Sequence, residues 1–140
     1  MANVLLVDDR RADIKLTLIT LFERPKLHCH LHTARDGGEA YKRLSGTDTP
    51  IDLMLLDINM PGINGFELLE QLQGTQTMRH TSIVMCSGSD HEPDRKRALR
   101  LGAIDYLLKP PRFEELKSII DRVPALKLYK DGDAICLTRS

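Results

Sequence analysis

Short apolar runs alternate with longer amphipathic stretches along almost the whole chain. Five of these runs have the length of strands: residues 3–7, 28–33, 52–56, 82–86 and 104–108. All but the second are nearly continuously apolar, as expected for parallel strands covered on both faces. The second run alternates histidines with Cys29 and Leu31, which is typical of an edge strand with one face in water.

Amphipathic stretches with helical spacing follow the five runs, at residues 11–23, 37–45, 65–73, 93–101 and 113–123. Asn64 and Glu67 have the spacing of a capping box, and Pro93 suits the first turn of a helix. Strands that alternate with helices of this length predict βαβ units with right-handed crossovers. The fold class is therefore α/β, with five parallel strands and helices on both faces of the sheet.

The alternation changes after Pro124, which predicts that the fifth helix ends at or before Val123. Two short apolar runs then flank Asp131-Gly132, a dipeptide typical of hairpin turns. An isolated hairpin is marginal in water, so it would dock on the domain or on a second chain. A partly disordered tail is the alternative. We predict one domain over residues 1–123 and a C-terminal extension, a β-hairpin or arm, over residues 124–140.

Composition narrows the class of protein. A chain of 140 residues suits one domain, and its 20 basic and 20 acidic residues give no net charge. That balance argues against a global attraction to nucleic acid or to an anionic membrane. The three cysteines have no metal-ligand spacing and form no even-numbered disulfide framework. No apolar stretch reaches the 18 or so residues of a transmembrane helix. We expect a cytoplasmic protein without a direct nucleic-acid or membrane partner.

Polar side chains follow four of the five apolar runs. Asp8 and Asp9 follow the first, Asp57 the third, Ser87 the fourth and Lys109 the fifth. In a parallel α/β sheet, ligands bind beyond the carboxyl ends of the strands, where the strand order reverses. One aspartate after a strand is usually a turn or cap residue. Four polar strand ends together predict a single polar cluster on an apolar base.

The residue types in this cluster predict phosphoryl chemistry. A pair of carboxylates about 4 Å apart repel by roughly 4 kcal/mol at an effective dielectric near 20. Oxygen ligands without histidine or cysteine favour Mg²⁺ as the ion that relieves this repulsion. A carboxylate such as Asp57 is a nucleophile toward phosphorus. Lys109 would supply a cation to the phosphoryl oxygens, and Ser87 a hydroxyl donor.

Four segments carry a family resemblance: Val7-Asp8-Asp9, Leu55 to Gly65, Met85 to Gly88, and Gly102 to Pro110. In this order and at these intervals they resemble the receiver domain of two-component response regulators, over about residues 3–123. The resemblance implies a flavodoxin-like doubly wound sheet with strand order 2-1-3-4-5. Residues 11–18 are similar to those of small single-domain regulators paired with bacterial phytochromes, and the stand-alone type also resembles chemotaxis regulators.

The resemblance also implies a role for each acidic residue. Asp57 would be the phospho-acceptor, and Asp8 and Asp9 the acidic pair at the Mg²⁺ site. Asp9 would be a direct ligand, whereas Asp8 would act partly through water. The backbone carbonyl of Asn59 would complete the protein ligands.

The remaining motif residues would form the switch. Ser87 occupies the Ser/Thr switch position and Tyr106 the switch aromatic, which is expected to rotate inward from a solvent-facing position. Lys109 would contact the phosphoryl group, and its bond to Pro110 is expected to be cis. The output surface would be helix 93–101, strand 104–108 and helix 113–123.

The expected partners are a sensor histidine kinase or phosphotransfer protein and a downstream protein target, with a homodimer through the extension as a further option. On this interpretation the protein catalyses only its own phosphorylation and dephosphorylation. A Mg²⁺-dependent aspartyl-phosphate phosphatase is an alternative, but such enzymes need an acid two residues after the nucleophile, where this chain has Asn59. Another alternative is the receiver piece of a longer regulator.

Overall fold

The computed structural model describes residues 1–46 and 49–140. Five strands lie in the main sheet: β1 (Asn3–Val7), β3 (His30–Ala34), β4 (Leu53–Asp57), β5 (Ser82–Ser87) and β6 (Asp105–Leu108). Three strands form a second sheet: β2 (Leu27–His28), β7 (Leu126–Asp131) and β8 (Ala134–Arg139). The helices are α1 (Arg11–Thr17), which continues as a π-helical segment (Leu18–Glu23), α2 (Gly37–Ser45), α3 (Gly65–Leu72), α4 (Gln76–His80), α5 (Glu92–Arg100) and α6 (Phe113–Ile120).

The main sheet is fully parallel, in the order β3-β1-β4-β5-β6. Numbered among themselves along the chain, these strands have the order 2-1-3-4-5, so the predicted flavodoxin-like topology is confirmed. The order reverses between β1 and β4, whose carboxyl ends therefore lie side by side. The predicted edge position of the histidine-rich strand is also confirmed, because β3 pairs only with β1 among the described residues.

Each apolar strand is covered on both faces. In β1, Leu5 and Val7 join the cluster that contains Phe66 of α3, whereas Val4 and Leu6 join the cluster that contains Leu116 of α6. Side chains that alternate across a strand must find apolar partners on both sides of the sheet when helices cover both. This is why the strands are continuously apolar.

Two predicted elements are divided. The run 28–33 is wrong as a single strand, because the chain changes sheets at Cys29: Leu27–His28 pairs with β8, and His30–Ala34 pairs with β1. The predicted helix 11–23 is π-helical after Thr17 and ends before Lys26, whose φ is 55°.

Two helices also depart from the expected pattern. The sequence pattern missed α4, because this five-residue helix buries none of its residues and so has no apolar stripe. Helix α6 ends at Ile120, before the boundary that Pro124 imposes. The remaining predicted strands and helices lie within one or two residues of their expected limits.

The C-terminal hairpin is present and docks on its own chain. Strands β7 and β8 pair antiparallel around the turn that Gly132 closes with a φ of 63°. Strand β8 also pairs in parallel with β2, and the carbonyl of Leu137 accepts a hydrogen bond of 2.8 Å from the Ala2 N–H. The side chain of Leu137 is fully buried. The division of the chain at residue 123 stays a prediction.

Cys86 and Cys136 are buried and Cys29 is half-buried, and all three thiols are free. The two buried cysteines serve as small apolar residues. Through residues 1–46 and 49–140, each helix is too short or too polar to cross a bilayer.

Candidate functional site

Four polar side chains lie at the carboxyl edge of the main sheet. Asp8 follows β1, Asp57 ends β4, Ser87 ends β5, and Lys109 follows β6. The first three are buried, because the strands that carry them lie inside the sheet and helices cover both faces. The predicted cluster of polar strand ends therefore forms, and it lies where the strand order reverses.

Three carboxylates converge in this cluster. Asp8, Asp9 and Asp57 each offer one oxygen, and these oxygens lie within 4.8 Å of one another. Burial raises the pKa of Asp57, and the charges of Asp8 and Asp9 raise it further, whereas the hydrogen bond and charge of Lys109 oppose this. A close group of carboxylates around a buried acid is costly unless a cation neutralises it.

One oxygen of this group has no protein partner. Asp9 Oδ1 is buried and accepts no hydrogen bond from the described residues. A buried carboxylate oxygen without a partner costs free energy, and a ligand at the site would remove that cost. The donor set of three carboxylates, with an oxygen left unpaired among them, fits a hard divalent cation.

Lys109 connects the cluster to helix α1. Its Nζ lies 2.7 Å from Asp8 Oδ2, 2.9 Å from Asp57 Oδ1 and 3.1 Å from Asp13 Oδ2. Burial alone would lower the pKa of Lys109, but hydrogen bonds and charges from Asp8 and Asp57 outweigh it and raise the pKa. The ammonium group is therefore held charged. The expected cis bond between Lys109 and Pro110 is confirmed.

Sequence reasoning missed Asp13. The residue lies in the first turn of α1, on the segment that leaves the carboxyl edge after Asp9. An acidic residue in a first helical turn is common and by itself indicates only a favourable helix end. Its contact with Lys109 spans 96 residues of sequence, so no local pattern could have revealed it.

Ser87 and Tyr106 are joined through Ser89. The Ser89 N–H donates to Ser87 Oγ at 3.1 Å, and the Tyr106 hydroxyl donates to the Ser89 carbonyl at 2.8 Å. The Tyr106 ring is 2% exposed, and the Arg95 guanidinium lies 5.1 Å from the ring centroid. The expectation that Tyr106 starts from a solvent-facing position is wrong for this structure, because the hydrogen bond and the cation–π contact hold the ring inward.

The loop after β4 shapes the end of that strand. Asn59 is exposed there. The N–H of Gly65 donates to the Ile58 carbonyl at 2.8 Å, and a Cβ at Gly65 would collide with the carbonyl oxygen of Asp57. Glycine at position 65 is therefore required by the close approach of α3 to the strand end.

Comparisons with known proteins agree with this geometry. The family model for the response regulator receiver domain matches residues 4–121. The chain is 36% identical to the response regulator PleD of Caulobacter vibrioides over 109 residues, which are 78% of this chain and 23% of PleD. It is 36% identical to the transcriptional regulatory protein CitT of Halalkalibacterium halodurans over 121 residues, which are 85% of this chain and 50% of CitT. The chain thus spans half or less of the length of these relatives.

Solved structures are also similar over most of the chain, and two of them serve as examples. The bacteriophytochrome response regulator AtBRR has a TM-score of 0.76 at 31% identity, with 86% of this chain and 91% of AtBRR covered. The Mn(2+)-bound form of the response regulator Rcp1 has a TM-score of 0.69 at 26% identity, with 85% of this chain and 89% of Rcp1 covered.

Proposed function

Because the chain belongs to the receiver-domain family of two-component response regulators, we propose that it is a phospho-acceptor switch whose acceptor is Asp57. The observation that carries the proposal is the convergence of Asp8, Asp9 and Asp57, with Lys109 Nζ 2.9 Å from Asp57 Oδ1. A histidine kinase or a phosphotransfer protein would donate the phosphoryl group. Receiver domains interact with both classes of protein.

The metal of the site is proposed to be Mg²⁺. Receiver domains bind a divalent cation, and the acidic cluster with the unpaired Asp9 Oδ1 supports such a site here. Asp8, Asp9 and Asp57 would hold the ion, together with the backbone carbonyl of Asn59. When bound, the cation neutralises the carboxylates and the incoming phosphoryl oxygens.

The residues of the chain perform the transfer. A carboxylate oxygen of Asp57 attacks phosphorus, and the bond between phosphorus and the donor breaks, with its electron pair returning to the donor. The Lys109 ammonium donates a hydrogen bond to a phosphoryl oxygen, and the Ser87 hydroxyl donates another. Such a transfer depends mainly on position and on charge neutralisation.

The contacts of Ser87 support a route from phosphate to signal. If the Ser87 hydroxyl moves toward the phosphoryl group, the hydrogen bond that it accepts from the Ser89 N–H is weakened. The Ser89 carbonyl also accepts the hydrogen bond of the Tyr106 hydroxyl, so a shift of Ser89 would reach Tyr106. A coupling of about 1–3 kcal/mol changes partner affinity by roughly 5–150-fold. The proposed output surface for a downstream protein target is α5, β6 and α6.

Two related proposals concern the class of protein and its location. The chain would act as a switch and not as a turnover enzyme, because the acid that a phosphatase needs is replaced by Asn59. Three free thiols support a reducing, cytoplasmic location. Some relatives are longer, such as a probable cyclic di-GMP phosphodiesterase of Vibrio cholerae, so a receiver within a longer regulator remains the alternative for the whole protein.

Intact-mass measurement after incubation with Mg²⁺ and acetyl phosphate tests the acceptor. We expect one phosphate on the wild-type chain and none on Asp57→Ala. The matched control is Asp133→Asn, which removes a carboxylate that is 91% exposed in the hairpin turn and should label as wild type does. Absence of phosphate on the wild type, or full labelling of Asp57→Ala, contradicts the proposal. Turnover of a generic phosphate ester at enzyme-like rates would favour a phosphatase.

A homodimer through the extension is the remaining partner proposal. Strand β7 is an outer strand of the second sheet and carries Tyr129, which is 46% exposed. Sedimentation at several protein concentrations, with and without acetyl phosphate, tests it. A dimer that Tyr129→Asp converts to a monomer supports the proposal, and a monomer under all conditions contradicts it.

A further inference from the structure

Three carboxylates hold the Lys109 ammonium group in this structure. A lysine ammonium carries three hydrogens and no acceptor. Lys109 donates to Asp8 at 2.7 Å and to Asp13 at 3.1 Å, and it forms an ion pair of 2.9 Å with Asp57. Because Asp57 is itself the proposed acceptor, a phosphoryl oxygen that binds Lys109 must compete for the ammonium group with Asp8 and Asp13.

The three carboxylates differ in how readily water can replace the lysine. The side chains of Asp8 and Asp57 are 3% and 6% exposed, whereas that of Asp13 is 32% exposed. A carboxylate that loses its partner without gaining water carries a large desolvation cost. Asp13 is therefore the carboxylate that can release Lys109 at the lowest cost.

The space around Asp13 also permits its release. A cavity of about 150 Å³ is lined by Asp13, Leu16, Thr17, Lys109 and Pro110. The cavity borders the Lys109–Asp13 pair, so a released carboxylate has room to turn and to be hydrated. The side chain of Lys109 is only 13% exposed, so its ammonium group depends on these carboxylates more than on bulk water.

From these contacts we propose that Asp13 is a positioning residue for phosphoryl transfer. It holds Lys109 in the resting state and competes with the phosphoryl group for the Lys109 ammonium group. Asp13 thereby lowers the affinity of the site for a phosphoryl group without contacting that group. The inference rests on the proposed role of Asp57 as phospho-acceptor.

Calorimetric titration with beryllofluoride, a phosphoryl mimic, tests this competition in the presence of Mg²⁺. We expect Asp13→Asn to bind beryllofluoride roughly two- to fivefold more tightly than wild type, the range for a partly exposed ion pair. Affinity for Mg²⁺ alone should be unchanged, because Asp13 is not part of the acidic metal-site group. Glu23→Gln removes the same charge from the far end of the same helical segment and should bind as wild type does.

A spectroscopic signature separates competition from a merely structural effect. The ¹⁵N NMR signal of the Lys109 ammonium should show faster hydrogen exchange with water in resting Asp13→Asn than in wild type, and Asp13→Glu should restore slow exchange. An Asp13→Asn variant that binds beryllofluoride no more tightly than Glu23→Gln overturns the inference, even if it is less stable. If wild type accepts no phosphate from acetyl phosphate, the proposed function fails and this inference with it. If wild type accepts phosphate from acetyl phosphate but Asp13→Asn binds beryllofluoride with wild-type affinity, this inference alone is overturned.

Discussion

The carboxyl and amino ends of the main sheet differ in the kind of side chains that they bury. At the carboxyl end, charged side chains lie together: Asp8, Asp13 and Asp57 surround Lys109, and Asp9 has an unpaired oxygen. At the amino end, the second sheet closes the fold. There the Ala2 N–H donates to the Leu137 carbonyl, and Arg139 pairs with Asp52 at the start of β4 at 2.9 Å.

The two ends of the sheet therefore differ in what they contribute. Apolar packing dominates at the amino end, and interactions between charged side chains dominate at the carboxyl end. Leu126, Cys136 and Leu137 of the hairpin are buried in the same apolar cluster as Leu116 of α6. Apolar burial stabilises the amino end of the sheet without any need for a ligand. The carboxyl end carries the cost of close carboxylates, so a cation that binds there gains affinity by relieving it. The hairpin therefore packs on the apolar cluster that stabilises this end of the sheet.

Loss of the Leu137 side chain should have the largest effect. Leu137→Ala leaves a cavity at a fully buried position and should lower the free energy of unfolding by about 2–4 kcal/mol. Phosphate incorporation from acetyl phosphate should persist in the folded protein. Urea unfolding and intact mass measure the two properties. An unchanged urea midpoint would show that the hairpin adds no stability. Loss of phosphate incorporation in the folded variant would contradict the idea that the two ends of the sheet act independently.

Substitution of Gly65 by alanine should destabilise the fold at the carboxyl end of the sheet. Its Cβ would press on the Asp57 carbonyl, so we expect Gly65→Ala to cost about 1–3 kcal/mol and also to slow phosphate incorporation. Gly88→Ala is the matched control, because a Cβ there meets open space and its cost should be within about 0.5 kcal/mol. Equal costs for the two variants would contradict the close approach of α3 to the strand end.

Mg²⁺ should stabilise the carboxyl end alone. At about 100 times its dissociation constant the ion should add roughly 2.7 kcal/mol to the free energy of unfolding, because it neutralises the carboxylates and pairs Asp9 Oδ1. Thermal unfolding with Mg²⁺ and with a chelator measures this. The increment should survive in Leu137→Ala and fall in Asp9→Asn. An increment that Asp9→Asn retains would show that the ion binds elsewhere.

The buried thiol of Cys86, beside Asp57, should have a smaller effect, which appears as a pH dependence of the free energy of unfolding. Burial raises the pKa of Cys86 from 9.0 to about 12 and that of Cys29 to about 11. Above pH 9 the unfolded chain therefore loses thiol protons that the folded chain keeps, so stability falls as pH rises. Each thiol contributes up to about 1.4 kcal/mol per pH unit. Urea unfolding between pH 8 and 10.5 should give a shallower slope for Cys86→Ala; an identical slope would contradict the assignment.

Local sequence patterns predicted most of the fold and most of the site. Continuous apolar runs indicated parallel strands, and the polar residues after them indicated at which end of the sheet the polar cluster forms, since strand ends in a parallel sheet share an edge. Asp8, Asp9, Asp57 and Lys109 were located in this way. In the tail, the Asp131-Gly132 dipeptide predicted the hairpin.

Only the tertiary structure decided the contacts between distant segments. The split of residues 27–34 between two sheets depends on β8, which lies about 100 residues further along the chain. The Lys109–Asp13 contact and the inward Tyr106 likewise depend on partners from other elements. Periodicity and turn chemistry are local and can be read from the chain. The partner of a buried polar side chain depends on which elements the fold brings together, and that is determined only when the whole chain packs.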